Sequence, residues 1–174
     1  GTYILDGGLT VPAKCTLFGA GVSSILKRKN GSASTSFINL SSDSVARDFY
    51  IDGNSANQTV DAYGILGYRV QRAYVLRVVV HDCFGIGIGW SDSEACVCER
   101  TRVEGCKNSR AGFWNDTYST SSFYANGKHR YIECEAINNQ LDGISIGTPQ
   151  NVIIGGTWSG NGFGGRYSGA SGAG

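Results

Sequence analysis

Asp52, His81 and Glu104 are the titratable side chains whose placement first suggests chemistry. Each occupies the same place in a short repeated segment: Tyr50-Ile51-Asp52-Gly53, Val79-Val80-His81-Asp82 and Arg102-Val103-Glu104-Gly105. If these segments are neighbouring strands of one parallel sheet, the three side chains line one face in successive layers roughly 4.8 Å apart. Two carboxyls about 5 to 9.5 Å apart are what glycoside cleavage uses, one to protonate the leaving oxygen and one to attack the sugar or activate water. A histidine between them would pass the proton. The same residues would also serve as cross-strand charge pairs on a solvated face. The flanking positions Asp48, Arg77, Arg100, Glu133 and Tyr50, Val79, Arg102, Glu135 alternate in sign, which favours that second reading.

A second set is aromatic. Leu66, Tyr68, Trp114 and Tyr167 fall at outward positions beside the small residues Gly87, Gly89, Ser145 and Gly147. Aromatic walls over a small-residue floor suit the apolar face of a pyranose. The alternative is that the rings are covered by residues 117–127 or by another subunit. That stretch carries Tyr118 and Tyr124 among serines and threonines, a composition suited to recognition because it combines contact area with adaptable hydrogen bonding. Asp116, at its start, is a further candidate acid or base.

The elements that must position these residues follow from a repeat. The segments beginning at Asp48, Arg77, Arg100 and Glu133 share a β-rich run, a polar turn and then a Gly followed by a second short apolar run. The position held by Asn54, Cys83, Cys106, Asn139 and Asn161 recurs at intervals of 29, 23, 33 and 22 residues. Period-2 alternation turns Phe49, Val78, Thr101 and Cys134 inward, then Ile51, Val80, Val103, Ala136 and Trp158, then Ile65, Ile86, Phe113 and Ile144. Apolar residues that stack from one repeat to the next bury a core that no single repeat could bury. The fold class is therefore all-β, a right-handed parallel β-helix of roughly six to seven coils. A sandwich of short antiparallel strands would leave the recurrence of equivalent residues unexplained.

Composition narrows the function. Fifteen Lys and Arg against 14 Asp and Glu leave a net charge of +1, which gives no basic footprint for nucleic acid. No apolar run approaches the roughly 18 to 20 residues of a membrane span. Nothing calls for a cofactor or a metal: Cys96-Val97-Cys98 is too tight for a zinc knuckle, and the six cysteines read as buried free thiols, with disulfides as the alternative. The chain opens directly on a strand-like run and ends in Gly, Ser and Ala. We therefore expect residues 1–163 to form the β-helix, residues 164–174 to be a last coil or linker, and the whole to be a piece of a longer protein.

Gly1-Thr2-Tyr3-Ile4, Leu17-Phe18-Gly19-Ala20-Gly21 and Ile51-Asp52-Gly53-Asn54 together resemble the pectate-lyase-like β-helix superfamily over nearly the whole chain. Within it the sequence is similar to phage tailspikes and tail-associated depolymerases and to the catalytic modules of alginate epimerases. The epimerase resemblance implies a Tyr-Gly-x-Asp-x-His run in one coil and an Asp in the next. Here Phe84 stands for the Tyr, Gly87 for the Asp and Gly89 for the His, and Asp116 alone matches. The resemblance thus implies an epimerase-like scaffold without that chemistry. It also implies a tailspike or tail-fibre segment on a virion or outside the cell, assembled as a homotrimer, that binds a bacterial surface polysaccharide and cleaves it if Asp52, His81 and Glu104 are catalytic. A structural or adhesive β-helix and a secreted polysaccharide lyase or hydrolase remain as alternatives.

Overall fold

The computed structural model describes residues 1–107, 111–116 and 127–162. Its strands come in threes. The first coil is β1 (Thr2–Leu5), β2 (Leu9–Val11) and β3 (Thr16–Phe18); the second is β4 (Ile25–Arg28), β5 (Ser36–Leu40) and β6 (Val45–Arg47). The third is β7 (Tyr50–Asp52), β8 (Tyr63–Tyr68) and β9 (Tyr74–Leu76); the fourth is β10 (Val79–His81), β11 (Ile88–Ser91) and β12 (Val97–Glu99). The fifth is β13 (Arg102–Glu104), β14 (Ala111–Asp116) and β15 (Arg130–Ile132); the sixth is β16 (Glu135–Ile137), β17 (Asp142–Ile146) and β18 (Val152–Ile154), and β19 (Thr157–Ser159) follows. Every third strand pairs in parallel, which makes a seven-stranded sheet A (β1, β4, β7, β10, β13, β16, β19) and six-stranded sheets B (starting at β2) and C (starting at β3). The chain is a right-handed parallel β-helix of about six turns.

Left-handed residues make the corners. Between sheets C and A they are Asp48, Arg77, Arg100 and Glu133, with φ from 47° to 62°. The sequence pattern places these four on the outer face of sheet A; the structure puts them at the corner before it, because positive φ turns the chain there. A non-glycine residue pays about 1 kcal/mol or more for that conformation. Each offsets part of the cost by pairing with its neighbour in the next coil: Arg77 with Asp48 at 2.6 Å and Arg100 with Glu133 at 2.8 Å. Arg72 pairs with Asp43 at 2.7 Å at the corner between sheets B and C, where both also have positive φ. Through these hydrogen bonds the arginines hold the Asp43 and Asp48 carboxyls below their ordinary pKa.

Inside, equivalent residues stack in register. Ile51, Val80, Val103, Ala136 and Trp158 form the expected column of sheet A, and Phe49, Val78, Thr101 and Cys134 are all buried. The column of sheet B differs in one place from the sequence expectation. It runs Ile38, Ile65, Ile88, Phe113, Ile144, so Ile88 replaces Ile86. Phe84-Gly85-Ile86-Gly87-Ile88-Gly89 contains the Gly-Ile unit twice, and the register selects the second copy. The reason is a glycine column: a Cβ on Gly64 would lie 2.7 Å from the Gly87 carbonyl oxygen, and one on Gly87 would lie 2.7 Å from that of Gly112. Only a residue without a side chain lets successive coils approach this closely.

Polar ladders close the corners. His129 is fully buried, its Nδ1 accepts the Cys96 amide at 3.2 Å, and its own amide donates to Asn151 Oδ1 at 2.9 Å. The ring stacks at 17° on Trp90, whose indole in turn fills the space over Gly67. Burial lowers the His129 pKa to about 4. The folded protein then holds no proton there while the unfolded chain takes one up below its ordinary pKa near 6.5, so stability is intact at neutral pH and declines as pH falls from about 6.5 toward 4. We expect urea unfolding to show a loss of about 2 kcal/mol between pH 7 and pH 5 from this group. In His129→Asn, whose amide oxygen can accept the Cys96 amide, that loss should disappear; an unchanged pH dependence would assign it to other groups.

Candidate functional site

Sheet A carries the proposed column. Asp52, His81 and Glu104 end β7, β10 and β13 and are mutual register partners, with Lys27 below and Ile137 above. All three point outward because Ile51, Val80 and Val103, one residue earlier, fill the core. Two layer spacings put the Asp52 and Glu104 backbones about 9.6 Å apart, near the upper limit for an inverting carboxyl pair.

Each carboxylate has a cation. Lys27 Nζ reaches Asp52 Oδ2 at 2.7 Å, and the Asn54 amide donates to the other oxygen at 2.9 Å. Arg102 pairs with Glu104 on the same strand and, at 3.8 Å, with Glu135 in the next coil. Asp82, in the corner after His81, accepts from Ser55 Oγ at 2.6 Å and Lys107 Nζ at 3.1 Å. Burial opposes ionisation of Asp82, but these two bonds outweigh it and leave its pKa below the ordinary value. The site is therefore a partly buried lattice of alternating charge. It can bind sugar hydroxyls through paired acceptors and donors, or exchange one of its own carboxylates for that of an acidic sugar.

Tyr50 was not among the residues singled out by chemistry, yet it belongs to the site. It shares a strand and a face with Asp52, and its ring lies 5.9 Å from that of His81 at a 31° tilt. Burial, followed by the charges of Glu104, Asp52 and Asp82, pushes its phenol up to about 12, so it keeps its proton. The two-residue spacing Tyr50-x-Asp52 was the available signal. Beside Lys27 the column continues into a cavity of about 330 Å³ lined by Ile4, Lys27, Arg28, Lys29 and Asn30. Its floor is shaped by Arg28, whose guanidinium turns inward to the carbonyls of Ser32 at 2.8 Å and Ser34 at 2.6 Å. Among the described residues, no three His, Cys, Asp or Glu side chains are close enough to hold a metal ion.

Sheet B gathers the other candidates on a different face, so the structure does not join them to the column. Leu66, Gly89, Trp114 and Ser145 are register partners, as are Tyr68, Ser91 and Asp116. Trp114 is the correction here. Expected as the wall of an open aromatic platform, it is only 3% exposed and packs with Ile86, Ala111 and Tyr63, its ring tilted against Tyr63 at 5.9 Å. Gly89 makes this possible, since a Cβ there would meet the Tyr63 ring at 2.5 Å. Tyr68 is half exposed, with the Arg69 guanidinium 5.0 Å from its ring centre. Asp116 is partly buried at the end of β14. Tyr118, Tyr124 and Tyr167 lie outside the described residues, as does the segment 164–174. No helix among the described residues is long and apolar enough to cross a membrane.

Fold and face together define a class: the protein is a right-handed parallel β-helix with a charged outer sheet. No family model and no curated protein sequence matches the chain. Solved structures do. The A-module of the Azotobacter vinelandii mannuronan C-5 epimerase AlgE4 matches with a TM-score of 0.64 and 19% identity, over 94% of this chain and 56% of that one. The AlgE6 A-module matches with a TM-score of 0.62 and 19% identity, over 90% and 53%. The chain thus spans about half the length of the modules it resembles, and at this identity the likeness is one of fold. The corrected register moves the comparison with the epimerase pattern by two residues, to Ile86, Gly89 and Ser91, and the pattern's Tyr, Asp and His are still absent there.

Because Trp114 is packed rather than open, Trp114→Ala should cost about 3 kcal/mol of stability through the cavity it leaves. Urea unfolding at neutral pH measures this. A change below about 0.5 kcal/mol would mean that the ring contributes nothing to packing.

Proposed function

We propose that this protein is a polysaccharide-binding β-helix of the phage tailspike or tail-fibre kind, whose sheet A face holds a bacterial surface polysaccharide. The observation that carries the reading is the Asp52, His81 and Glu104 column. It is continuous with Tyr50 on one side and with the Lys27-lined cavity at one end, and it lies on a scaffold also used by modules named as mannuronan epimerases. On this reading a sugar chain runs along the stacking direction. Its rings lie over Tyr50 and His81, and its hydroxyls or carboxylates exchange with the ion pairs at Asp52, Glu104 and Asp82. Where cleavage follows, one of Asp52 and Glu104 protonates the leaving oxygen and the other activates water, with His81 between them holding or passing the proton. The protein then acts outside the cell or on a virion, as a homotrimer.

One observation favours recognition without cleavage. Each carboxylate of the column is already engaged by a cationic partner, so neither stands free to approach a leaving oxygen.

A panel of bacterial capsular and uronate-containing polysaccharides, followed by size-exclusion chromatography, separates these readings. Shortening by the wild type, reduced at least about 100-fold in Asp52→Ala/Glu104→Ala, is the outcome expected of a depolymerase using this column. Equal shortening by both proteins would place catalysis elsewhere. Binding without shortening, weakened in the double variant, is the outcome expected of a recognition module. Absence of both would refute the proposal in favour of a scaffold.

A further inference from the structure

The position after sheet A is an asparagine ladder interrupted by two thiols. Asn139 Oδ1 accepts the Cys106 amide at 3.1 Å while its Nδ2 donates to the Val103 carbonyl at 3.3 Å. Asn161 repeats both bonds one coil on, to the Asn139 amide at 3.1 Å and the Ala136 carbonyl at 3.0 Å. Asn54 makes the donor half toward Arg28 at 2.9 Å. In the two coils between, the same position is Cys83 and Cys106. Among the described residues neither thiol reproduces this pair of bonds; the Cys106 thiol lies 4.0 Å from the Glu104 carbonyl. Two adjacent coils therefore give up ladder bonds together.

The two cysteines are direct neighbours. His81 and Glu104 are register partners just before them, and Phe84 and Lys107 bridge just after them. The Lys107 amide donates to the Cys83 carbonyl at 2.8 Å. Both are buried, at 3% and 4% exposure, in the same hydrophobic core. Register partners in adjacent parallel strands are about 4.8 Å apart, inside the 4.4 to 6.8 Å span of Cα separations that a disulfide bridges. Their thiols are within hydrogen-bonding reach of one another; that contact, with burial, keeps the Cys83 thiol well above the usual thiol pKa.

We propose that Cys83 and Cys106 are a modification site: folded in the presence of a disulfide oxidant, they form a bond that staples the fourth coil to the fifth. One thiolate attacks oxidised glutathione and releases a glutathione thiolate, which takes up a proton. The second thiolate then displaces the other glutathione from the mixed disulfide. Two protein thiols are oxidised and one glutathione disulfide is reduced to two thiols. Because the folded pair is buried, the exchange belongs to the folding chain, before the coils close. The bond closes one full coil and stabilises by restricting the unfolded chain.

The test uses the full chain in a Cys15→Ser background, which removes the exposed thiol. Protein refolded in a glutathione redox buffer should yield a Cys83–Cys106 linked peptide on non-reducing mapping. It should melt about 5 to 10 °C above the same protein refolded in reductant. Cys83→Asn/Cys106→Asn should continue the ladder, fold, and melt at one temperature in both buffers. The same mapping on protein exported to an oxidising compartment needs no refolding step. Absence of the linked peptide from both preparations would overturn the proposal. So would a link between other cysteines, or a redox-dependent melting shift that persists in the double Asn variant.

Discussion

Register between coils is the constraint on which the rest of this structure depends. Each residue lies above its equivalent one turn earlier, so a side chain must be compatible with the neighbour above and the neighbour below before it can be anything else. Ile51, Val80, Val103, Ala136 and Trp158 satisfy that by being apolar and inward. Gly64, Gly87 and Gly112 satisfy it by having no side chain where carbonyls approach. Left-handed Asp48 and Arg77 satisfy it by opposite charge, and His129 and Asn151 by exchanging an amide for a ring nitrogen or an amide oxygen. Five chemically different solutions answer one geometric demand.

The same demand shapes what the molecule can do. Functional groups on such a scaffold are arranged along the stacking axis, one per layer, which matches the repeat of an extended polymer better than the compact shape of a small molecule. On sheet A this yields Lys27, Asp52, His81 and Glu104 in sequence, with Lys27 paired to Asp52 in the layer above it. On the proposed reading, stability and recognition draw on the same side chains there. On sheet B the outward positions around Trp114 go to packing, with Tyr63 and Ile86 as partners. The two faces therefore divide the work.

Most of the fold was legible because period-2 alternation and the 20-to-30-residue recurrence are both local signals. The columns through Val78 and Val80 could be read directly, as could the outward alignment of Asp52, His81 and Glu104. What was not legible depended on three-dimensional choice. The doubled Gly-Ile unit between Phe84 and Gly89 offers two registers of equal local merit, and only the close approach at Gly87 decides between them. Trp114 has the parity of an outward residue and is buried nonetheless, because a sheet face can itself be covered. The corner charges at Arg77 and Arg100 read as strand residues because nothing in their type announces positive φ. Tyr50 read only as a flanking position, because its closeness to the His81 ring and to three carboxylates appears only in three dimensions.

One feature of the corners bears on how such a protein changes over generations. From the second coil on, the strands of sheets C and A are always separated by two residues: a left-handed one followed by an inward one at 48–49, 77–78, 100–101 and 133–134, and two glycines at 155–156. The other two corners differ in length from coil to coil, and the longest connection, between β14 and β15, falls at one of them. An inserted residue in the fixed link would rotate every later layer out of alignment, whereas one added at the variable corners only lengthens a surface excursion. Variation is thereby channelled to two edges of the prism, where new specificity can be tried without renegotiating the core.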